Sequence, residues 1–252
     1  MNKELQSNLT NHTETEINLF TKYANYFNES PISIVGKLQN FPKYVRRQDL
    51  SRFLAKNELF KLQLDLPGSI IELGCFQGGG TFTFAQLSAI YEPYNHTRKI
   101  VSFDTFNGFP DISEKDMNTS KVYRTGDLSV ISAMDDEIQQ SINLFDSNRP
   151  ISHITKIELI KGDATKTIPQ YLIDNPHLVI SMIYFDFDIY EPTKIGLETL
   201  INRIPKGGII AFDELNTKVF PGETLALLDT IGIKNISLRK TVFDPYISYA
   251  IL

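Results

Sequence analysis

Ile70-Ile71-Glu72-Leu73-Gly74-Cys75-Phe76-Gln77-Gly78-Gly79-Gly80-Thr81 is the stretch whose reading decides the fold of this 252-residue chain. A short apolar run breaks into glycines and then resumes, which reads as a strand, a tight turn and a helix start. Glycine has no Cβ, so the backbone of the turn can take positive φ and approach a ligand closely. The first N–H groups of the following helix have no intrahelical acceptor and face whatever lies in the turn. This is the order of events in a cofactor-binding turn. Its spacing, Glu-x-Gly-x-x-x-Gly, departs from the dinucleotide fingerprint Gly-x-Gly-x-x-Gly, because Cys75 and Phe76 stand where that pattern needs close glycines. No Lys-Ser/Thr pair follows, as a P-loop would require.

Outward from this turn, apolar strands alternate with helical segments from Pro67 onward, the signature of a parallel sheet covered on both faces. The expected strands are Ser69 to Leu73, Lys99 to Phe103, Lys156 to Lys161, Val179 to Phe185 and Gly208 to Phe212. Two further β-rich runs, Ser237 to Phe243 and Tyr246 to Leu252, are parted only by Asp244-Pro245 and must therefore pair antiparallel, as a hairpin. Residues 1–66 carry helical periodicity instead. Ile17, Phe20, Tyr23, Ala24 and Phe27 mark one helix. A second, from about Gln48 to Leu64, places Leu50, Phe53, Leu54, Phe60 and Leu64 on one face and leaves Leu59 and Leu62 off it. The expectation is an α/β protein with a helical N-terminal segment, 1–66, followed by one α/β domain, 67–252. The polar segment Pro110 to Asn148 reads as an insertion that brings helix and loop near the site.

Composition limits the partners. A hydrophobic fraction of 42% with 22% charged residues is ordinary for a globular enzyme, and a net charge of -5 argues against a nucleic-acid surface. The densest basic spot, Lys43-Tyr44-Val45-Arg46-Arg47, suits a solvated helix start or one phosphate of a small substrate. The start, Met1-Asn2-Lys3-Glu4-Leu5-Gln6, has no apolar signal core, and no uncharged run is long enough to span a membrane. A single cysteine, Cys75, fits a reducing cytosol, so a cytoplasmic location is expected.

Acidic residues stand at the strand ends. Asp104 closes Ile100-Val101-Ser102-Phe103-Asp104, where a carboxylate can accept from both hydroxyls of an adenosine ribose; a turn or helix-cap aspartate is the structural alternative. Asp163, followed by Ala164, ends the next strand, in position to lie beside an adenine. Tyr184-Phe185-Asp186-Phe187-Asp188 and Phe212-Asp213-Glu214 bring four more carboxylates to the same edge. Anions so close repel and call for a cation, and hard oxygen donors suit Mg²⁺. The structural reading of the same residues is a helix cap at Asp213 and Glu214 and a loop anchor at Asp186.

Glu72-Leu73-Gly74-x-x-x-Gly78-Gly79, Phe103-Asp104-Thr105-Phe106-x-Gly108-Phe109-Pro110, Asp186-x-Asp188-x-Tyr190-x-x-Thr193 and Gly207-Gly208-x-x-x-x-Asp213-Glu214 together resemble the macrocin O-methyltransferase family, over about Ser69 to Glu223. The resemblance implies a Rossmann-like class I methyltransferase fold, a mostly parallel seven-stranded sheet with a C-terminal antiparallel hairpin. It implies S-adenosylmethionine (SAM) and Mg²⁺ as cofactors, a sugar hydroxyl as acceptor on a small-molecule glycoside or a nucleotide-linked sugar, 67–252 as the SAM-dependent domain, and 1–66 as a lid on the acceptor side or an oligomer contact. By the same resemblance Glu72, Gly74, Phe76, Gly78, Gly79, Thr81, Asp104, Thr105, Asp163, Ala164 and Asp186 fall around the cofactor. Asp188, Asp213 and Glu214 fall on the metal, with Asp188 also the general base and Asp186 its rival as ligand. One departure is Glu214, which stands where the family usually has a second Asp; the longer arm shifts the metal or leaves it an extra water.

The remaining reactive residues are placed by elimination. His153 and His177 precede strands at the far end of the sheet, and His96 and His12 lie in polar stretches, so none suits catalysis. Cys75 has no base beside it and reads as a packing residue. Phe76, Phe106, Phe109 and Tyr190 suit either a pocket wall or the core. Two other classes fit parts of the pattern, an NAD(P)-linked oxidoreductase and a non-catalytic SAM-binding module. The apolar N-terminal helices offer a surface for a homo-oligomer.

Overall fold

The computed structural model describes residues 14–117 and 123–252; the readings at Met1 to Gln6 and His12, and the side chain of Ile17, lie outside the described set. The chain divides into two compact units at Leu54/Ala55.

The first unit holds helix α1 (Glu14–Glu29), helix α2 (Ile34–Gln39) and the start of α3 (Arg47–Leu62). Ser33 caps α2 by accepting from the Gly36 N–H at 3.2 Å. The basic spot is engaged within this unit. Lys43 Nζ lies over the rings of Tyr26 and Tyr44, and Arg46 Nε donates to Asp49 at 3.0 Å.

The second unit is a seven-stranded sheet in the order β3-β2-β1-β4-β5-β7-β6. Its strands are β1 (Ser69–Leu73), β2 (Ile100–Asp104), β3 (Ile157–Lys161), β4 (Ile180–Phe185), β5 (Ile209–Phe212), β6 (Arg239–Lys240) and β7 (Ser248–Ile251). The first five are parallel, and β7 runs antiparallel to β5 and β6, as the close spacing of the last two runs requires. β1, β4 and β5 are buried along their whole length because helices cover both faces.

One face packs on the end of α3 and on α4 (Gly79–Tyr91) and α5 (Met134–Ser147) through Leu59, Phe60, Phe84, Ile138 and Ile142. The other packs on α6 (Ala164–Asp174), α7 (Tyr190–Leu200) and α8 (Gly222–Asp229) through Ile168, Leu197 and Leu227. Strand order reverses between β1 and β4, which makes the crevice at their carboxyl ends the binding position of an open α/β sheet.

Three sequence expectations need correction. Leu59, left off the apolar face of α3, is fully buried with Ala55 and Phe60, whereas Phe53 and Leu54 are 38% and 40% exposed. The buried stripe is Ala55-Lys56-Leu59-Phe60, in the C-terminal half of the helix, where Ala55, Leu59 and Phe60 join the core over the sheet. The Pro110 to Asn148 segment is no pure insertion: α5 within it is the crossover helix from β2 to β3, with Met134, Ile138, Ile142 and Phe145 inward. The run Ser237 to Phe243 yields only the two-residue edge strand β6, since Val242 is 82% exposed and Phe243 is 41% exposed.

Candidate active site

The turn after β1 is built on positive φ at Gly74, Phe76 and Gly78, and Gly78 enters α4 from the left-handed region. Only glycine fits at 74: a Cβ there would come 2.0 Å from the Asp186 carbonyl oxygen. A Cβ on Gly79 would meet open space. Beneath the turn, Glu72 and Thr81 are fully enclosed, and the Thr81 hydroxyl donates to Glu72. Burial pushes the Glu72 carboxyl up to about 7, against the pull of Thr81 and the Lys56 ammonium.

Asp104 latches this turn to β2. Its Oδ2 accepts from the N–H groups of Cys75 at 3.0 Å and Phe76 at 2.8 Å, and its Oδ1 from Phe106 at 2.8 Å. Burial raises its pKa and those amides lower it, with burial dominant. Thr105 donates to Gly108 O at 2.6 Å and shapes the next loop. Asp163 caps α6, accepting from the Thr165 N–H at 3.0 Å, with Ala164 buried behind it. Although burial pushes the Asp163 carboxyl up, bonds from Thr165 and Lys166 hold it below its ordinary value.

Past β4 and β5 the carboxylates converge. Asp188 sits at φ 63°, a strained position for a side chain other than glycine. Its pKa is raised well above the carboxylate range by burial, then by Asp186, Glu214, Glu223 and Asp213. Glu223, on the first turn of α8, is fully buried and spans both loops, accepting from the Asp188 N–H at 3.4 Å and the Glu214 N–H at 3.5 Å. Burial and the same anions push it well up. Asp213 is buried, accepts from the Tyr184 hydroxyl and lies 4.0 Å from Lys56 Nζ. Among the described residues, no three His, Cys, Asp or Glu side chains form a ready-made metal cage.

Asp186, Asp188, Asp213 and Glu214 are thus brought to one edge, whereas Glu72 and Thr81 lie under the turn and Asp163 serves as a helix cap. Glu223 escapes a sequence reading, although an acid in a first helical turn after Pro221-Gly222 is a visible signal. Tyr123 also escapes it. Burial pushes its phenol up, helped by the Asp188 and Glu214 charges, and its ring stacks on Phe220 at 4.8 Å. With Phe109, Ile189 and Phe220 it forms a small apolar wall of its own. Phe106 and Tyr190 belong to the main cores, while Phe76 is 42% exposed at the turn. The Cys75 thiol is buried and its pKa is driven up by burial, so it is not a nucleophile.

A sheet of five parallel strands with antiparallel β7 between β5 and β6, a glycine turn at the switch point and an acid closing β2 define a class I methyltransferase fold. Residues 48–224 match the family model of macrocin O-methyltransferase (TylF). The crystal structure of CalS11, a calicheamicin methyltransferase, is 34% identical over 95% of this chain and 93% of its own, with a TM-score of 0.91. Apo CalS11, described as a TDP-rhamnose 3′-O-methyltransferase of calicheamicin biosynthesis, is 30% identical over 98% of both chains, with a TM-score of 0.84. The O-methyltransferase NovP, 18% identical over 80% of this chain and 79% of its own with a TM-score of 0.58, shares the fold. No curated protein sequence matches. The chain belongs to the macrocin O-methyltransferase family and is a SAM-dependent O-methyltransferase. The oxidoreductase and non-catalytic readings are thereby set aside. Among the described residues, no helix is long and apolar enough to cross a membrane.

Proposed function

We propose that this enzyme methylates a sugar hydroxyl, on a nucleotide-linked sugar or a glycosylated small molecule in the cytoplasm, with Asp188 as general base and Mg²⁺ at the carboxylate cluster. The observation that carries the reading is the convergence of Asp186, Asp188, Asp213, Glu214 and Glu223 beside the Gly74 turn. The description of CalS11 as acting on TDP-rhamnose favours a nucleotide-linked acceptor.

The donor set fits a hard divalent cation, because all its members are carboxylate oxygens, and burial first and their mutual repulsion second raise Asp188 and Glu223. Asp188, Asp213 and Glu214 would hold it, with Asp186 as the competing ligand. Such a cation, when bound, acidifies a coordinated hydroxyl as a Lewis acid. Gly74, Phe76, Gly78 and Gly79 shape the lip against the cofactor, with Glu72 and Thr81 bracing it from below. Asp104 and Thr105 stand on the ribose side, and Asp163 and Ala164 beside the adenine.

The acceptor oxygen attacks the methyl carbon in line, a C–O bond forms as the C–S bond breaks, and neutral S-adenosylhomocysteine leaves. The hydroxyl proton passes to Asp188, the carboxylate at the end of the β4 loop. Positioning of the oxygen against the methyl group supplies much of the rate. Mass spectrometry of reactions with SAM and a panel of nucleotide sugars and glycosides, TDP-rhamnose included, tests this. A gain of one methyl group on a sugar is expected. Methylation confined to acceptors without a sugar would contradict it.

A further inference from the structure

Two buried polar side chains that the reaction above does not use lie behind the carboxylate cluster. Lys56, on α3, is 5% exposed, and Tyr184, on β4, is fully buried. Lys56 Nζ donates to the Tyr184 hydroxyl oxygen at 3.1 Å and lies 4.0 Å from Asp213 Oδ1. The Tyr184 hydroxyl in turn donates to that same Asp213 oxygen.

Elementary valence fixes the direction of this chain. An ammonium has hydrogens to give and nothing to accept with, so the phenol oxygen must accept from Lys56, and its one hydrogen is committed to Asp213 Oδ1. Neither donor has much room to move. The Tyr184 ring packs edge-on against Phe84 at 5.5 Å, and the buried Lys56 also sets its Nζ 4.4 Å from the centre of the Tyr184 ring. On the main chain, the Asp213 N–H donates to Phe185 O at 2.9 Å, so backbone and side chain are both held.

We infer that Lys56 and Tyr184 are positioning residues that pin Oδ1 of Asp213 and so fix the orientation of a carboxylate that would help to hold the divalent cation. The inference rests on the metal reading above. It also accounts for a lysine on the inward stripe of α3, where an apolar residue would pack more cheaply: the ammonium balances Asp213 and acts on Glu72 beneath the cofactor turn.

The test is Mn²⁺ binding to the full chain, read by electron paramagnetic resonance with Mg²⁺ as competitor, for the parent, Tyr184→Phe, Lys56→Met and Asp213→Asn. Removing partners that orient a ligating carboxylate weakens metal binding by about 10- to 100-fold. That loss is expected in both Tyr184→Phe and Lys56→Met, with SAM affinity of Tyr184→Phe, read by calorimetry, unchanged. If Lys56→Met does not fold, Tyr184→Phe alone decides. A purely structural role would lower the melting temperature and leave Mn²⁺ affinity at the parent value, and that result would overturn the inference. Binding lost in Asp213→Asn but kept in the other two overturns the inference alone. A parent that binds no Mn²⁺ overturns the metal reading and this inference with it.

Discussion

The peptide of Gly74 lies directly against the peptide of Asp186: a Cβ on Gly74 would sit 2.0 Å from the Asp186 carbonyl oxygen, and the Asp186 N–H donates to Leu73 O at 2.8 Å. The loops leaving β1 and β4 meet through bare backbone, which joins the cofactor turn to the carboxylate cluster at the point where strand order reverses. Gly74 also stands at φ 99°, where any side chain is strained. Gly74→Ala should therefore destabilise the protein by about 2–4 kcal/mol and weaken SAM binding, through strain and overpacking together. Urea unfolding and SAM calorimetry check this.

Asp188→Asn keeps the size of the side chain and removes the base. Turnover should fall by about 10² to 10⁴-fold, with SAM affinity unchanged. Single-turnover kinetics beside SAM calorimetry separate the two effects.

Glu72 gives stability a pH dependence. Its carboxyl rises from 4.5 to about 7 on folding, so the folded state holds the proton more tightly than the unfolded chain. The stability this contributes is complete below pH 4.5 and is lost as pH rises through about 7, a change of about 3 kcal/mol. Glu72→Gln should flatten the fall of stability between pH 5 and 8 in urea titrations.

Arg98 clamps the opposite end of the sheet. It is 2% exposed and donates to Glu92 at 2.6 Å, Gly68 O at 2.8 Å, Leu66 O at 2.8 Å and Ser181 Oγ at 2.6 Å. Arg98→Ala takes from Glu92 its charge partner and from two carbonyls a donor, and should cost about 3–5 kcal/mol of stability. Activity per folded molecule should persist, because Arg98 lies at the amino ends of β1 and β4, away from the chemistry.

The sheet could be read from the chain because buried parallel strands are nearly all apolar, and their ends are marked by Gly74, Asp104, Asp186 and Asp213. The crossover helix α5 was harder to see. Its inward residues Met134, Ile138, Ile142 and Phe145 are spaced for a helix but embedded in a polar stretch. The supporting residues were hidden for a different reason. Glu223, Tyr123 and Lys56 come from elements remote in sequence, and periodicity reports which face is buried without saying what it is buried against. A lysine at 56 reads as a solvated charge until Tyr184 and Asp213 are placed beside it.

The central claim, that the carboxylate cluster holds a divalent cation for methyl transfer to a sugar oxygen, is tested most directly by metal withdrawal. Methyl transfer from SAM to an accepted sugar should vanish after chelation and return in full on addition of Mg²⁺, while SAM binding persists throughout. Undiminished transfer in the chelated enzyme would contradict it.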